Sequence, residues 1–400
     1  MKWIFWASAL LIAYTYLGYP GWLWLRCRWR RQRVNSGPLQ ASASFVMVVR
    51  DEAQVLEPKL ENLLAADYPQ ERLDVVVVSD GSSDGTDAIL RKYAQNPRVN
   101  VVLNQLSRGK AAGLNDALQL AQGEIVIFSD ARQLLEKSAV ARLMENFADP
   151  SIGCVSGELM LGDPDSGQTS RGTGLYWVIE KMIRDLESRS GSVVGATGAL
   201  YAVRRELIPA LPPGTILDDV YVPMHVARQG KRVVFEPRAR AWDLPNLGRD
   251  REFARKVRTL SGNYQLLRLA PWLLSASNPL RFEFISHKVL RLLVPFALLI
   301  LLITSALITE PFYRSILVVQ IACYGLSLLA LAHVNTGPLS RISDAGLTFL
   351  LLNTAALVAF LNFVTGRKVV WVREAQTDVA NMGRTGTAVE RKIPRLTNVG

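Results

Sequence analysis

Four consecutive valines, Val75 to Val78, run into the loop Ser79-Asp80-Gly81-Ser82-Ser83-Asp84-Gly85-Thr86. An unbroken β-branched run suits a strand buried on both faces, as in a parallel sheet covered by helices. Two glycines and several short oxygen side chains make the loop tight. Ser83, Asp84 or Thr86 is placed to cap a helix continuing through Ala88–Tyr93. In open α/β sheets ligands bind beyond the carboxyl ends of the strands, where Asp80 stands. The same residues also suit a capped strand–helix turn with no ligand.

The rest of the chain repeats this unit. Phe45–Val49 reads as a first strand, ending in Arg50-Asp51-Glu52, and Leu56–Ala65 has helical spacing. Val99–Leu103 is a further strand leading to Ser107-Arg108-Gly109-Lys110 and a helix over Ala111–Gln122. Glu124–Phe128 is another, ending in Ser129-Asp130-Ala131-Arg132. Strand and helix alternating at this spacing predict βαβ units and a mostly parallel sheet. Two strands therefore end in Ser-Asp, with a basic loop between them. Carboxylates beside cations at strand ends suit a sugar nucleotide, the acids for base, ribose or a metal and the cations for the diphosphate. A solvated lysine at a helix start is the plain alternative for Lys110.

Val155–Met160, Gly195–Val203 and Val233–Phe235 read as later strands, with a helix over Tyr176–Ser188. Glu180 and Glu187 share a face of that helix and are expected to pair with Lys181 and Arg184. Thr197 and Gly198 lie in a small, flexible stretch fit for close approach of a ligand. Asp218 and Asp219 are adjacent acids in an apolar setting, so one pKa should rise, as a general base requires. Either would also cap the helix over Tyr221–Gln229. Arg255 and Arg258 lie three apart in a basic helix over Glu252–Arg268 and share a face that can clamp a diphosphate or simply meet solvent. Tyr264–Ser275 reads as an interfacial helix with Trp272 at headgroup level.

Apolar residues, 49% of the chain, are unevenly placed. Trp3–Leu25, Leu292–Ile308, Ser315–His333 and Ala345–Thr365 are nearly or wholly uncharged, and each is about long enough to cross a bilayer. These segments predict an integral membrane protein with a large polar middle. The first lacks a small-residue cleavage site and is followed at once by Arg26, Arg28, Arg30, Arg31 and Arg33, so it reads as an anchor with a cytoplasmic flank. The net charge of +11 gathers beside the apolar segments, which points to anionic membrane lipids rather than nucleic acid. Cys27, Cys154 and Cys323 are scattered and imply neither a disulfide framework nor a zinc site.

In this order, the pieces resemble the membrane-bound, inverting family 2 glycosyltransferases, whose relatives include cellulose, chitin and hyaluronan synthases. The resemblance runs from about Phe45 to the C-terminal spans. Asp51-Glu52 stands for the family's opening Asn/Asp-Glu pair, and Asp80–Thr86 for its Asp-Gly-Ser-x-Asp-Gly-Thr loop. Gly109-Lys110 through Asn115 matches its Gly-Lys stretch, one residue shorter. Asp218-Asp219 matches its Glu-Asp base motif, and Arg255-x-x-Arg258 its Gln/Arg-x-x-Arg-Trp motif, with Thr259 in place of the Trp.

The resemblance implies a GT-A fold and an inverting hexosyl or N-acetylhexosaminyl transferase. The donor would be nucleotide-linked (UDP) and the acceptor a lipid-linked or growing glycan, with other subunits of a synthesis and export complex as possible partners. It assigns the base to Asp219, beside Asp218, and donor contacts to Glu52, Asp80, Lys110, Asp130, Arg132, Arg255 and Arg258. Thr197 and Gly198 fall on the acceptor side. Asp130-Ala131-Arg132 departs from the family's Asp-x-Asp. Mg2+ or Mn2+ is expected at Asp130, with Arg132 in place of the second acid.

The expected layout is an anchor and basic flank over 1–34, a cytoplasmic catalytic domain over 45–263 and an interfacial region over 264–285. Transmembrane helices over 286–366 and a basic tail over 367–400 follow, in a bacterial inner membrane. One span before the domain and three after it put the tail outside. Its Arg367, Lys368, Arg373, Arg384, Arg391, Lys392 and Arg395 argue for the inside. A non-catalytic, nucleotide-sugar-binding regulatory subunit is the alternative function.

Overall fold

The computed structural model describes residues 1–162, 175–243, 249–332 and 337–367. The chain divides into two units, Met1–Val369 and Val370–Gly400, and the second lies outside the described residues.

The chain opens with α1 (Lys2–Ala13) and α2 (Tyr19–Trp29), continuous through a π-helical turn at Tyr14–Gly18. That turn falls just before Pro20, which removes a helical donor. The polar middle is one eight-stranded sheet flanked by helices. In chain order its elements are β1 (Ala43–Val49), α3 (Ala53–Leu64), β2 (Leu73–Asp80), α4 (Thr86–Tyr93), β3 (Val99–Asn104), α5 (Lys110–Leu120), β4 (Ile125–Ser129), β5 (Leu134–Leu135) and α6 (Ala139–Glu145). There follow β6 (Ile152–Leu161), α7 (Leu175–Ser190), β7 (Leu200–Arg204), α8 (Asp218–Arg228), β8 (Arg232–Asp243) and α9 (Arg249–Leu269).

The strand order is β3-β2-β1-β4-β7-β6-β8-β5. From β3 to β4 every pairing is parallel, with Phe45 level with Val75 and Ile127. The carboxyl ends of β2 and β4 thus reach one edge, on either side of β1. The order reverses there, which is the site of ligand crevices in such sheets. Val76 and Val78 face one core and Val75 and Val77 the other, so no polar position interrupts the run.

The sheet is mixed rather than mostly parallel, because β7 runs antiparallel to both β4 and β6, and β5 to β8. Of the expected strand Gly195–Val203 only Leu200–Val203 is extended, in a strand that runs on to Arg204; the small residues before it are not extended and turn at Gly198–Ala199. The last strand is far longer than Val233–Phe235, since β8 continues past Pro237 to Asp243 across a register shift against β6. Tyr264–Ser275 is not one interfacial helix. Tyr264–Leu269 ends α9, and Pro271–Leu274 is a short 3-10 turn whose Leu273 enters the core. Trp272 lies against His225 (5.0 Å) and Arg228 (4.7 Å) of α8, which holds it to the domain.

Beyond the sheet lie α10 (Arg281–Phe284), a second π turn at Ile285–Val289, α11 (Leu290–Leu307), α12 (Pro311–Leu331) and α13 (Ser340–Thr365). Three helices, Arg281–Leu307, Pro311–Leu331 and Ser340–Thr365, are long and apolar enough to cross a membrane by length and composition. A buried polar cluster joins them to the sheet. Tyr19 OH donates to Glu187 (2.6 Å), His287 Nδ1 meets Glu187 (2.8 Å) and its Nε2 meets Glu180 (3.1 Å), while Arg291 donates to Glu180 (2.6 Å). Glu180 and Glu187 therefore pair across to the membrane helices, and not with Lys181 and Arg184. Lys181 pairs with Glu158, and Arg184 donates to Ser156 (2.9 Å).

Candidate active site

The loop after β2 is built by backbone demands. Gly81 has φ +69°, and a Cβ there would stand 2.6 Å from the Ser107 nitrogen. Only glycine meets both conditions. Asp84 caps two segments at once, accepting from the Thr86 amide (2.9 Å) and the Ala53 amide (3.0 Å). Asp51 accepts from the Ser83 amide (2.7 Å), and the Glu52 amide donates to Thr86 Oγ1 (2.9 Å), which ties the end of β1 to this loop.

Asp80, expected to touch the donor, is fully buried. Its Oδ1 accepts from the Arg108 amide (2.7 Å), and its Oδ2 from Ser107 Oγ (2.7 Å) and the Gly109 amide (2.9 Å). These donors engage both oxygens, so in this arrangement Asp80 holds the loop that starts α5. The placement also puts a carboxylate at that helix's positive end.

Lys110, the first residue of α5, reaches the centre of the site. Its Nζ lies 2.9 Å from Asp130 Oδ1 and 3.2 Å from Asp218 Oδ1. Burial alone would lower its pKa, but the two carboxylates outweigh burial and raise it. The ammonium is therefore a fixed charge. Asp218 and Asp219 occupy the first turn of α8, where Leu217 is the N-cap position and neither acid makes a capping bond. They differ in partners. Asp218 is buried and accepts from Tyr201 OH (3.1 Å). Asp219 is more open, and its backbone oxygen accepts from the Ala196 amide (2.7 Å). Burial, and then the Asp218 charge, push the Asp219 carboxyl up to about 6 against the pull of Lys110 and Lys288. Of the two, Asp219 is the acid poised to exchange a proton near neutrality.

Gly198 floors the crevice between these groups. The point its Cβ would occupy is 3.4 Å from Asp219 Oδ2 and 3.6 Å from Asp130 Oδ2. A side chain there would fill the space between the carboxylates. The Thr197 amide donates to Ser156 Oγ (3.1 Å), which fixes that turn.

Arg132, expected to contact the donor, is engaged by the protein itself in this arrangement. Its guanidinium donates to Asp243 (2.6 Å), a buried carboxylate ending β8. Arg255 approaches the same oxygen at 3.6 Å, so α9 is tied to the Asp130–Gln133 segment through Asp243. Arg258 lies one turn further along α9, half-buried.

Among the described residues no three His, Cys, Asp or Glu side chains cluster as a metal cage. The donor set fits a cation held in part by substrate. Lys110 occupies Asp130 Oδ1 and leaves Oδ2 facing the Gly198 crevice. A hard divalent ion takes such a single carboxylate together with phosphate oxygens.

Several contributors carried little sequence signal. Lys59 is fully buried beneath Asp130, donating to Ser129 Oγ (2.8 Å) and Gln133 O (2.5 Å), and burial lowers its pKa to about 7. Tyr201 and Ser156 look like ordinary strand residues. Asp243 was hidden too, because the expected strand stops at Phe235 and Arg238 and Arg240 break the apolar pattern before it.

Residues 44–211 match the model of the family described as glycosyl transferase family 2. Over 228 residues the chain is 26% identical to the poly-beta-1,6-N-acetyl-D-glucosamine synthase of Staphylococcus aureus (strain COL), covering 56% of this chain and 55% of that protein. It is 24% identical to the synthase of the same name from Staphylococcus epidermidis over the same length. The chain thus matches about half the length of these curated relatives. Among solved structures it is similar to the mannosyltransferase PcManGT from Pyrobaculum calidifontis, in complex with GDP-Man and Mn2+. That likeness has a TM-score of 0.70 at 23% identity, covers 91% of this chain and 100% of that one, and speaks for the fold alone.

Proposed function

From the premise that the chain carries a family 2 glycosyltransferase domain, we propose that it moves a sugar from a nucleoside-diphosphate donor to a glycan or lipid-linked hydroxyl at a membrane, inverting the anomeric carbon. The observation that carries this reading is that the Asp219 and Asp130 carboxylates meet at the Gly198 crevice, beside the Lys110–Asp130 pair; burial and the Asp218 charge, which push the Asp219 carboxyl up to about 6, support it. The acceptor oxygen bonds to the anomeric carbon as the carbon–oxygen bond to the diphosphate breaks. Asp219 takes the acceptor's proton, and Lys110 with Arg255 and Arg258 steadies the charge that develops on the leaving diphosphate. Asp218, held by Tyr201, keeps the Asp219 pKa high through its charge. Asp80 and Glu52 act on the donor through the loops they hold.

Asp130 and the donor phosphates would hold a Mg2+ or Mn2+ ion, which would add charge neutralisation at the diphosphate. A UDP-linked N-acetylhexosamine is the donor suggested by the polymer named in the staphylococcal relatives. The arginines after α2 support a cytoplasmic catalytic domain on a bacterial inner membrane.

The test is nucleoside diphosphate release by membranes carrying the wild type or Asp219→Asn, given a panel of sugar nucleotides and a lipid extract. Release by the wild type with one donor names the substrate. The variant should lose about 10²–10⁴ in kcat while binding donor with near-normal affinity. Near-normal transfer by Asp219→Asn removes the base assignment. Binding without release by either protein replaces the reading with a regulatory nucleotide-sugar-binding subunit.

A further inference from the structure

The last apolar helix, α13, is long enough to cross a bilayer, yet its contacts keep it in the half nearer the catalytic domain. Two groups of residues mark depth along the helix Arg281–Leu307. At the far end, Lys2 pairs with Glu310 (2.5 Å), and the Phe5 ring meets Tyr313 (4.8 Å) beside Ile308. At the near end, Phe284 enters the core of the sheet domain and His287 joins α7. About 22 residues separate these levels, or roughly 33 Å at 1.5 Å per residue, which matches a hydrocarbon core of about 30 Å.

α12 starts at the far level, at Pro311, and climbs back beside α11, since Gln320 donates to Leu298 O (3.2 Å). By Leu326 it has risen roughly 22 Å, to the near half. There α13 begins, with Ser343 Oγ donating to Leu326 O (2.7 Å) and Gly346 packed on Ser327. The middle of α13 meets the turn between α1 and α2. Phe349 lies against Tyr16 (5.4 Å), and the neighbouring Tyr14 OH shares a hydrogen bond with Ser286 (2.9 Å). The end of α13 meets Phe296 through Phe360 (5.0 Å) and Tyr264 of α9 through Phe363 (5.6 Å). Tyr264 OH in turn donates to Leu292 O (3.3 Å).

Start, middle and end of α13 thus all sit level with residues 286–296, on the catalytic side, and α13 packs along α9. We infer that α13 does not cross the membrane but lies in the plane of the leaflet beneath the catalytic domain, with its exposed Ile342, Leu361 and Val364 in contact with acyl chains. Gly366 and Arg367 then end on the catalytic side. The chain crosses at α1–α2, at Arg281–Leu307 and at α12, an odd number, so Met1 and Arg367 lie on opposite sides. The inference does not depend on the proposed reaction.

The test uses single cysteines in the full chain with Cys323→Ser as background. Thr365→Cys is compared with Glu71→Cys on the sheet domain and Thr309→Cys at the far loop, using a membrane-impermeant maleimide on vesicles of both orientations. Thr365→Cys should label in the same orientation as Glu71→Cys and be protected where Thr309→Cys labels. Labelling together with Thr309→Cys overturns the inference. A second measurement covers variants that accumulate poorly: among spin labels at Ile342→Cys, Thr354→Cys and Leu361→Cys, Thr354→Cys should lie no deeper than the other two. A crossing helix would instead place Thr354→Cys deepest of the three.

Discussion

Asp219 and its neighbours set a pH dependence that one measurement checks. Its carboxyl is raised to about 6, so the base is protonated and idle at lower pH and active above it. The rate should therefore fall as pH drops through about 6. Lys288, on the π turn of the membrane helix, pulls the Asp219 pKa down. Lys288→Gln should shift the acid limb of the kcat/KM profile to higher pH, with donor affinity unchanged; an unmoved limb would mean that another group titrates. The adjacent acids Asp218 and Asp219 were legible in the sequence as a pair that must repel. Which of them stays free was not, because that depends on Tyr201, seventeen positions before Asp218, reaching it from a neighbouring strand.

At the scale of elements, the loop Ser107–Lys110 depends on Asp80 more than on its own residues. Asp80→Ala leaves the Arg108 and Gly109 amides and Ser107 without their acceptor, at a cost of about 1–3 kcal/mol. The expected outcome is a raised donor KM as Lys110 loses its footing, with kcat less affected, measured by steady-state kinetics. Gly81→Ala should be destabilising by about 1–2 kcal/mol from backbone handedness alone, and by more from the contact with the Ser107 nitrogen; thermal unfolding reads it. The valine run and the capped loop after it identified β2 and the loop at its carboxyl end without any tertiary information. The reversal of β7 and the length of β8 were hidden. Antiparallel neighbours and a register shift are properties of pairing, and the residues Gly195–Ala199 carry no strand period to betray a turn.

For the molecule as a whole, the junction between sheet and membrane helices is a buried cluster of charges. Glu187 receives Tyr19 and His287 with almost no exposure to solvent. Removing one partner from a buried pair costs about 3–5 kcal/mol, so Glu187→Ala should markedly lower the unfolding temperature of the detergent-solubilised protein; an unchanged temperature would show that the cluster does not hold the junction. Composition along the chain was enough to establish a membrane protein with an α/β middle, because apolar runs and βαβ periodicity are local in sequence. Three things were decided only by tertiary structure: that Asp80 and Arg132 find partners within the protein, that Glu180 and Glu187 pair with Tyr19, His287 and Arg291, and which elements the start, middle and end of α13 pack against. Each turns on which distant side chain supplies the partner for a buried charge or ring, and hydrophobic periodicity does not encode that choice.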